Sequence, residues 1–331
     1  MDEPQGLTAS VLIGTYNRRA FLMRTLETLD RQSAQGRFEV IVAVDGSTDG
    51  TVEAMEAAGW RFPLRWTVGP NCGIAAARNR AASLARNPVL IVLDDDLLLA
   101  AGLVAAHLRA HEGHGAVLVH GPCPLAAGYQ RGGAALLYER TRARELQASS
   151  LDRGKQLTLW GGNFSVRRET WQSVGGFDED FREYGGEDTD FGLRVAAQGI
   201  SFVFEPLAVA EHLHVVSNAA FRRRTLSEGR ALVRLARKHG RPLEAFAGGS
   251  LRRPVDRAIL LAWRISPPAA AGAGRLASGA LRVADTVGRP ALQIALARVV
   301  RRIHRVGGMS LELEREGRSA DRQPQYGNVR Q

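Results

Sequence analysis

The residues best suited to chemistry in this chain are three consecutive carboxylates, Asp94, Asp95 and Asp96. Like charges this close repel unless a cation or hydrogen-bond donors hold them. Mg2+ and Mn2+ prefer carboxylate oxygens and usually complete their shells with water or a substrate phosphate. A solvated acidic turn accounts equally well for the triplet taken alone. A second acidic group, Glu187, Asp188 and Asp190, follows Gly185 and Gly186. Carboxylates in the first turn of a helix gain ~0.3 to 1 kcal/mol from its dipole, so helix capping explains these without any function. A glycine-flanked helix start would also expose a carboxylate able to take a proton from a hydroxyl nucleophile. His212 and His214 are two residues apart and face the same side in extended chain. One of them is a candidate third ligand to a metal held by the acidic triplet, since imidazole tolerates Mn2+.

These residues have to be positioned by regular elements. Ser10 to Gly14 is a short apolar run that ends at Thr15-Tyr16-Asn17, after which Phe21, Leu22, Leu26 and Leu29 recur at helical spacing. Phe38 to Val44 is a second apolar run, ending at Asp45 and a cluster of turn residues before a helix near Thr51. A third strand around Leu64 to Val68 precedes a helix over Ile74 to Ala85, and a fourth, Val89 to Leu93, runs into the triplet. Strands alternating with helices predict a mostly parallel α/β sheet flanked by helices, Rossmann-like, with ligands at the carboxyl ends of the strands. From Val117 to about Val216 the pattern is less regular, with a helix near Arg168 to Val174, another through Gln198 and a strand at Ser201 to Phe204.

Composition bounds the class. A chain of 331 residues can bury a full core, and two cysteines, Cys72 and Cys123, exclude a disulfide scaffold. Met1 to Thr8 lacks the basic start and apolar stretch of a signal peptide. The longest apolar and glycine run, Leu97 to Ala106, is far short of the ~18 residues that suggest a membrane span. The expectation is a cytoplasmic protein, soluble or resting on the inner face of the cytoplasmic membrane. The net charge of +10 is segregated: from Ser217 onward 23 Lys and Arg face 8 Asp and Glu, so residues 1–216 are net acidic. A domain boundary is expected there, with residues 217–331 a basic helical extension whose polar end, about 312–331, reads as disordered. Leu292, Leu296, Val299, Ile303 and Val306 are expected along one side of a helix, with Arg298, Arg301, Arg302 and Arg305 on another. Such a basic amphipathic helix would suit an anionic membrane surface, and a helix packed on the rest of the protein fits the same pattern.

Over residues 9–216 the chain resembles family-2 glycosyltransferases of the GT-A fold. The resemblance lies in VLIGTYNR, VIVAVDGSTDGT, GIAAARNRAA, LDDD, WGGNFSVRRE with GGFDEDF, and GGED, six segments in one order. It implies an inverting transfer of sugar from a nucleoside diphosphate donor to a glycan, lipid-linked or small-molecule hydroxyl, with Mn2+ or Mg2+ as cofactor. Thr15, Tyr16, Asn17 and Asp45 would hold the nucleoside, and Arg78 and Asn79 would lie near the base or phosphates. Asp94 and Asp95 would reach ribose and metal, while Asp96 would bind the metal with His212, His214 being the reserve ligand. Asp188 matches the general base, and Trp160, Gly161 and Glu187 match acceptor-side contacts. The family commonly has two acidic residues before the Gly-Ser of its second motif, and here the first is Val44. UDP is the first choice of donor nucleotide, with guanine and thymine left open.

Two other classes stand beside this one. A sugar-phosphate nucleotidyltransferase shares the layout and the metal carboxylates, but GGED and the late histidine speak against it. Nucleic-acid binding through Arg222 to Arg224 and Arg298 to Arg305 lacks aromatic interleaving and a recognised motif, and none is expected.

Overall fold

The computed structural model describes residues 6–128, 132–151, 159–213, 216–247, 251 and 253–320. The chain divides into two compact units, Met1–Gln130 with Tyr138–Val215, and Arg131–Leu137 with Val216–Gln331.

The first unit is built on strands β1 (Ala9–Thr15), β2 (Phe38–Asp45), β3 (Leu64–Gly69) and β4 (Val89–Leu93), which alternate with helices α1 (Arg19–Asp30), α2 (Thr51–Ala57) and α3 (Ile74–Ser83). Then follow β5 (Leu97–Leu99), α4 (Leu103–Gly113), β6 (Val117–His120), α5 (Gly133–Leu151, its residues through Leu137 belonging to the second unit), β7 (Asn163–Arg167), α6 (Arg168–Val174), α7 (Glu187–Ala197), β8 (Ser201–Phe204) and β9 (Ala210–His212). Seven strands form one sheet in the order β3-β2-β1-β4-β7-β6-β8, and β5 pairs with β9 in a second. The expected GT-A-type architecture, a mostly parallel sheet flanked by helices with a helical region after it, is what forms. The segment from Val117, irregular in the sequence pattern, contributes four of the strands.

Strands β1, β2 and β4 are buried along their whole length, as unbroken apolar runs covered on both faces should be. Alternate residues feed two cores. Val11, Ile13, Val40, Val42, Ile91 and Leu93 pack with α1 and α4. Leu12, Ile41, Ala43, Leu90 and Val92 pack with α3, α6 and α7.

The order of the sheet places the functional residues. β1, β2 and β4 are parallel, so Thr15, Asp45 and Asp94 emerge at one edge. β7 runs antiparallel to β4 with Asn163 opposite Leu93, so the chain enters β7 at that same edge and brings Trp160-Gly161-Gly162 beside Asp94. The Asp94 N–H donates to the Gly162 carbonyl at 3.1 Å. β7 is anchored from behind by buried imidazoles of α4: His107 bonds Ser165 at 2.8 Å and Asn163 at 2.9 Å, and His111 bonds Ser165 at 2.9 Å. Burial lowers the two histidines to about 4 and about 3, which keeps them neutral. Pairing of Leu97 with His212 brings the histidine to the acidic triplet.

The second unit is helical: α8 (Asn218–Lys238), α9 (Leu243–Ala247), α10 (Pro254–Ile265), α11 (Pro267–Val287) and α12 (Pro290–Ala320). α12 packs against α8, α10 and α11. Glycines set how close the helices come. A Cβ at Gly308 would lie 1.9 Å from the Leu226 carbonyl oxygen, and one at Gly229 would lie 2.0 Å from that of Arg305. Gly307 makes room for the Trp263 ring, whose indole N–H donates to the Ile303 carbonyl at 3.1 Å.

Of the two readings left open for α12, the packed helix is the one that forms, and its predicted apolar side is split: Val306 is buried and Leu296 and Ile303 are half-buried, Leu292 and Val299 are exposed, and Ala297, Val300, His304 and Gly307 to Ser310 are buried beside them. Its basic side is not free, since Arg301 pairs with Glu228 at 3.3 Å and Arg302 with the buried Asp256 at 3.0 Å. Of the polar end read as disordered, about 312–331, the described part is helix through Ala320, and its buried Glu312 pairs with Arg234 at 2.9 Å; residues 321–331 lie outside the described residues.

Gly308→Ala should lower the stability of the protein by about 1 to 3 kcal/mol, read as an earlier urea midpoint by circular dichroism, because a backbone carbonyl cannot step aside as a side chain can. Gly279→Ala, in α11 with nothing near its Cβ direction, should raise it by ~0.5 to 1 kcal/mol through helix propensity.

Candidate active site

The structure sorts the acidic triplet into two roles. Asp95 turns inward: its carboxylate accepts from Thr15 Oγ1 at 2.7 Å and pairs with Arg18 Nε at 3.1 Å. Burial pushes its carboxyl up to about 7, against the pull of Arg18. Asp96 pairs with Arg18 Nη2 on one oxygen and with His212 Nε2 at 3.2 Å on the other. Burial pushes Asp96 up, but the His212 bond and charge together with Arg18 outweigh it and hold this carboxyl well below the usual range. Asp94, Asp96 and His212 bring ligand atoms within 4.8 Å of one another. Two carboxylates and an imidazole converging without a lysine among them fit a divalent ion such as Mn2+ or Mg2+. Asp95 stands apart from this set, and His214 lies outside the described residues.

Arg78 ties this cluster to the start of α7. It is 2% exposed, and its Nη2 pairs with Asp94 Oδ1 at 2.5 Å while Nη1 lies 3.9 Å from Glu187 Oε1. Glu187 Oε2 is buried with no hydrogen-bond partner among the described residues, and burial, then the charge of Asp188, pushes its carboxyl up to about 8. Asp188 is half-buried and accepts from the Gly161 N–H at 3.1 Å and the Thr189 N–H at 2.7 Å. Burial raises its carboxyl above the ordinary range, and the two N–H donors pull against that shift. The pair Gly161-Gly162 has no room for side chains: a Cβ would lie 2.9 Å from Asp188 Cβ at the first and 2.5 Å from Asp94 Oδ2 at the second. Gly186, the residue before α7, has φ 98°, which favours glycine.

The loops at the neighbouring strand ends hold the residues expected around a nucleoside. Tyr16 and Asn17 are exposed, and Asn17 takes a left-handed backbone, φ 50°, with its side-chain oxygen accepting from the Thr48 N–H at 2.8 Å. Asp45 is buried and accepts from the N–H groups of Cys72 at 3.1 Å and Gly73 at 2.9 Å, and pairs with Arg80 at 2.6 Å. It thereby pins the loop that opens α3. Asn79, expected near the base or phosphates, has its amide engaged elsewhere: its NH2 donates to the Phe177 carbonyl and its oxygen accepts from the Phe177 N–H, both at 2.9 Å. Arg78 is likewise turned onto carboxylates.

Three participants were absent from the sequence-based set. Arg18 followed the Thr-Tyr-Asn loop directly, so a cation there was readable as a counter-charge for a carboxylate triplet. Tyr138 and Arg142 of α5 carried no such signal. The Arg142 guanidinium lies 5.0 Å from the Trp160 ring, and the His212 ring meets Tyr138 at 5.2 Å and Trp160 at 5.7 Å. Trp160 thus forms an aromatic wall beside the cluster.

Comparison with known proteins bears on the family and the fold. Residues 146–217 match the model described as N-terminal domain of galactosyltransferase. Validoxylamine A glucosyltransferase of Streptomyces hygroscopicus subsp. jinggangensis is 36% identical over 218 residues, 58% of this chain and 52% of that protein. The chain spans about half the length of the curated relatives it matches first. Among solved structures, the mannosyltransferase PcManGT from Pyrobaculum calidifontis, in complex with GDP-Man and Mn2+, superposes with TM-score 0.66 at 20% identity over 94% of this chain and 88% of that one. S. aureus TarS 1-349 with UDP-GlcNAc gives TM-score 0.51 at 16% identity over 94% and 92%. These two likenesses bear on the fold. Residues 10–174 match the model of Glycosyl transferase family 2, and the chain belongs to that family.

Proposed function

We propose that this chain is an inverting glycosyltransferase that moves a sugar from a nucleoside diphosphate donor to a hydroxyl acceptor. The observation that carries the reading is Arg78, which holds Asp94 of the metal-type cluster and Glu187, the neighbour of Asp188, around one buried guanidinium. A leaving-group site and a proton acceptor are thereby built side by side.

Asp94, Asp96 and His212 would hold the divalent cation, Mn2+ or Mg2+, and when bound it supplies positive charge to the departing diphosphate. Tyr16, Asn17 and Asp45 line the loops that would take the nucleoside, with UDP the first base to test. Asp188 accepts the proton of the acceptor hydroxyl as that oxygen bonds to the anomeric carbon and the bond to the diphosphate oxygen breaks on the opposite face, which inverts the centre. The Gly161 and Thr189 N–H groups orient the Asp188 carboxylate. Trp160 offers the acceptor sugar a flat apolar face. The acceptor is a glycan, a lipid-linked glycan or a small molecule.

Wild-type protein should be stabilised against heat by one of UDP, GDP or dTDP only when Mn2+ is present, by about 2.7 kcal/mol at a hundredfold excess over Kd. Asp96→Ala and His212→Ala should lose that response, and failure of every nucleotide would remove the donor site from the proposal. Asp188→Asn should lower kcat by ~10² to 10⁴-fold while the nucleotide-induced shift is retained. The Glu187 carboxyl, raised in the folded protein, costs stability as pH climbs from its unfolded value through about 8. Glu187→Gln should therefore melt near wild type at pH 4 and above it at pH 9; a gap that shrinks with pH would contradict the assigned environment.

A further inference from the structure

The second unit has a face that its own packing leaves over. Helices α10 and α11 are joined through Ser266 and both pack on α12. α11 turns Ala270, Gly274, Ser278, Leu281 and Ala284 inward, and Gly274 fits against the His304 ring. Three of its larger apolar side chains point the other way: Leu276 is 79% exposed, and Val283 and Val287 are exposed with it. α10 does the same. Asp256 and Trp263 are buried, while Val255, Leu261 and Ile265 lie outside, Ile265 at 75%. Although Trp263 and Leu281 turn inward, both helices of the hairpin thus leave large apolar side chains on the outside, and exposed apolar surface of this kind marks a docking site.

Charge decides what docks. Six arginines stand exposed along these helices and their ends, Arg253, Arg257, Arg264, Arg275, Arg282 and Arg289, none of them in an ion pair among the described residues. Arg257 and Arg264 on α10, and Arg275 and Arg282 on α11, are seven residues apart, so each pair keeps to one flank of its helix. The acidic residues of the stretch are both spent inside the unit: Asp256 is buried against Arg302, and Asp285 accepts from the Gly133 N–H at 2.7 Å and from Gln293 at 3.1 Å. A second copy of this face would set arginine against arginine with no carboxylate between. An anionic bilayer would neutralise the arginines and cover the apolar side chains at once. Among the described residues no helix is long and apolar enough to cross a membrane, so the hairpin would lie in the interface. We propose that the α10–α11 face binds an anionic lipid surface. This assigns the surface to a different element from α12, whose Arg301 and Arg302 are paired within the unit.

The test is co-sedimentation of the full chain with phosphatidylcholine vesicles containing or lacking phosphatidylglycerol, across a salt series. Binding should require phosphatidylglycerol and weaken as salt rises, since exposed charges are screened. Arg275→Gln with Arg282→Gln should weaken it by roughly 25-fold, about five-fold for each arginine near an anionic leaflet. Leu276→Glu with Val283→Glu should abolish it; both pairs are surface changes and should leave the helical circular dichroism intact. The proposal is overturned if wild type ignores phosphatidylglycerol or if both double variants bind as wild type does. It is equally overturned if wild type is a dimer without lipid that Leu276→Glu with Val283→Glu dissociates, which would make a second copy the occupant.

Discussion

A guanidinium with 2% of its surface exposed cannot be left without carboxylates, because a buried unpaired charge costs several kcal/mol. Arg78 meets this constraint with Asp94 from the end of β4 and Glu187 from the start of α7, two positions far apart in sequence. Three elements are thereby fixed at once: α3, which carries the arginine, the acidic edge of the sheet and the helix that presents Asp188. The charge balance of the site follows. Asp94 is held by a cation before any metal is considered, and Glu187 is left with one oxygen unpartnered and a carboxyl pushed up by burial.

That junction depends on a reversal in the sheet. Parallel strands alone would deliver Thr15, Asp45 and Asp94 to one edge and nothing to face them. Because β7 runs antiparallel beside β4, its entry segment arrives at that edge, and Gly161 and Gly162 let it approach the two carboxylates closely. The strand has to be held there, and neutral His107 and His111 do so from the opposite core through Asn163 and Ser165. A polar cluster buried in this way is tolerable only when its groups are largely paired. It specifies register where apolar packing would not.

The helical unit obeys a different constraint. Its helices come within backbone contact at Gly229 and Gly308, so small residues stand at the closest approaches, while several large apolar side chains of α10 and α11 stay outside. Arginine is sorted by the same geometry. Where an acidic partner is close, as at Glu228, Asp256 and Glu312, the cation is internal; along α10 and α11, where the acids are already used, it faces outward.

Local order in the sequence was sufficient for the βα alternation, the strand ends that hold Thr15, Asp45 and Asp94, the acidic opening of α7, and the family, because apolar runs, period-3.6 patterns and short motifs are properties of neighbouring residues. It was not sufficient for the partners. That Asp95 turns to Thr15 and Arg18 while Asp94 and Asp96 converge with His212 depends on β5 pairing with β9, two three-residue strands over a hundred residues apart whose register no local pattern encodes. The amide of Asn79, engaged by Phe177, illustrates the same point. The burial of α12 stayed open in the sequence for a related reason. Hydrophobicity along one helix says which side chains would gain from cover, and only the close approach of other helices, permitted by glycine, decided which side received it.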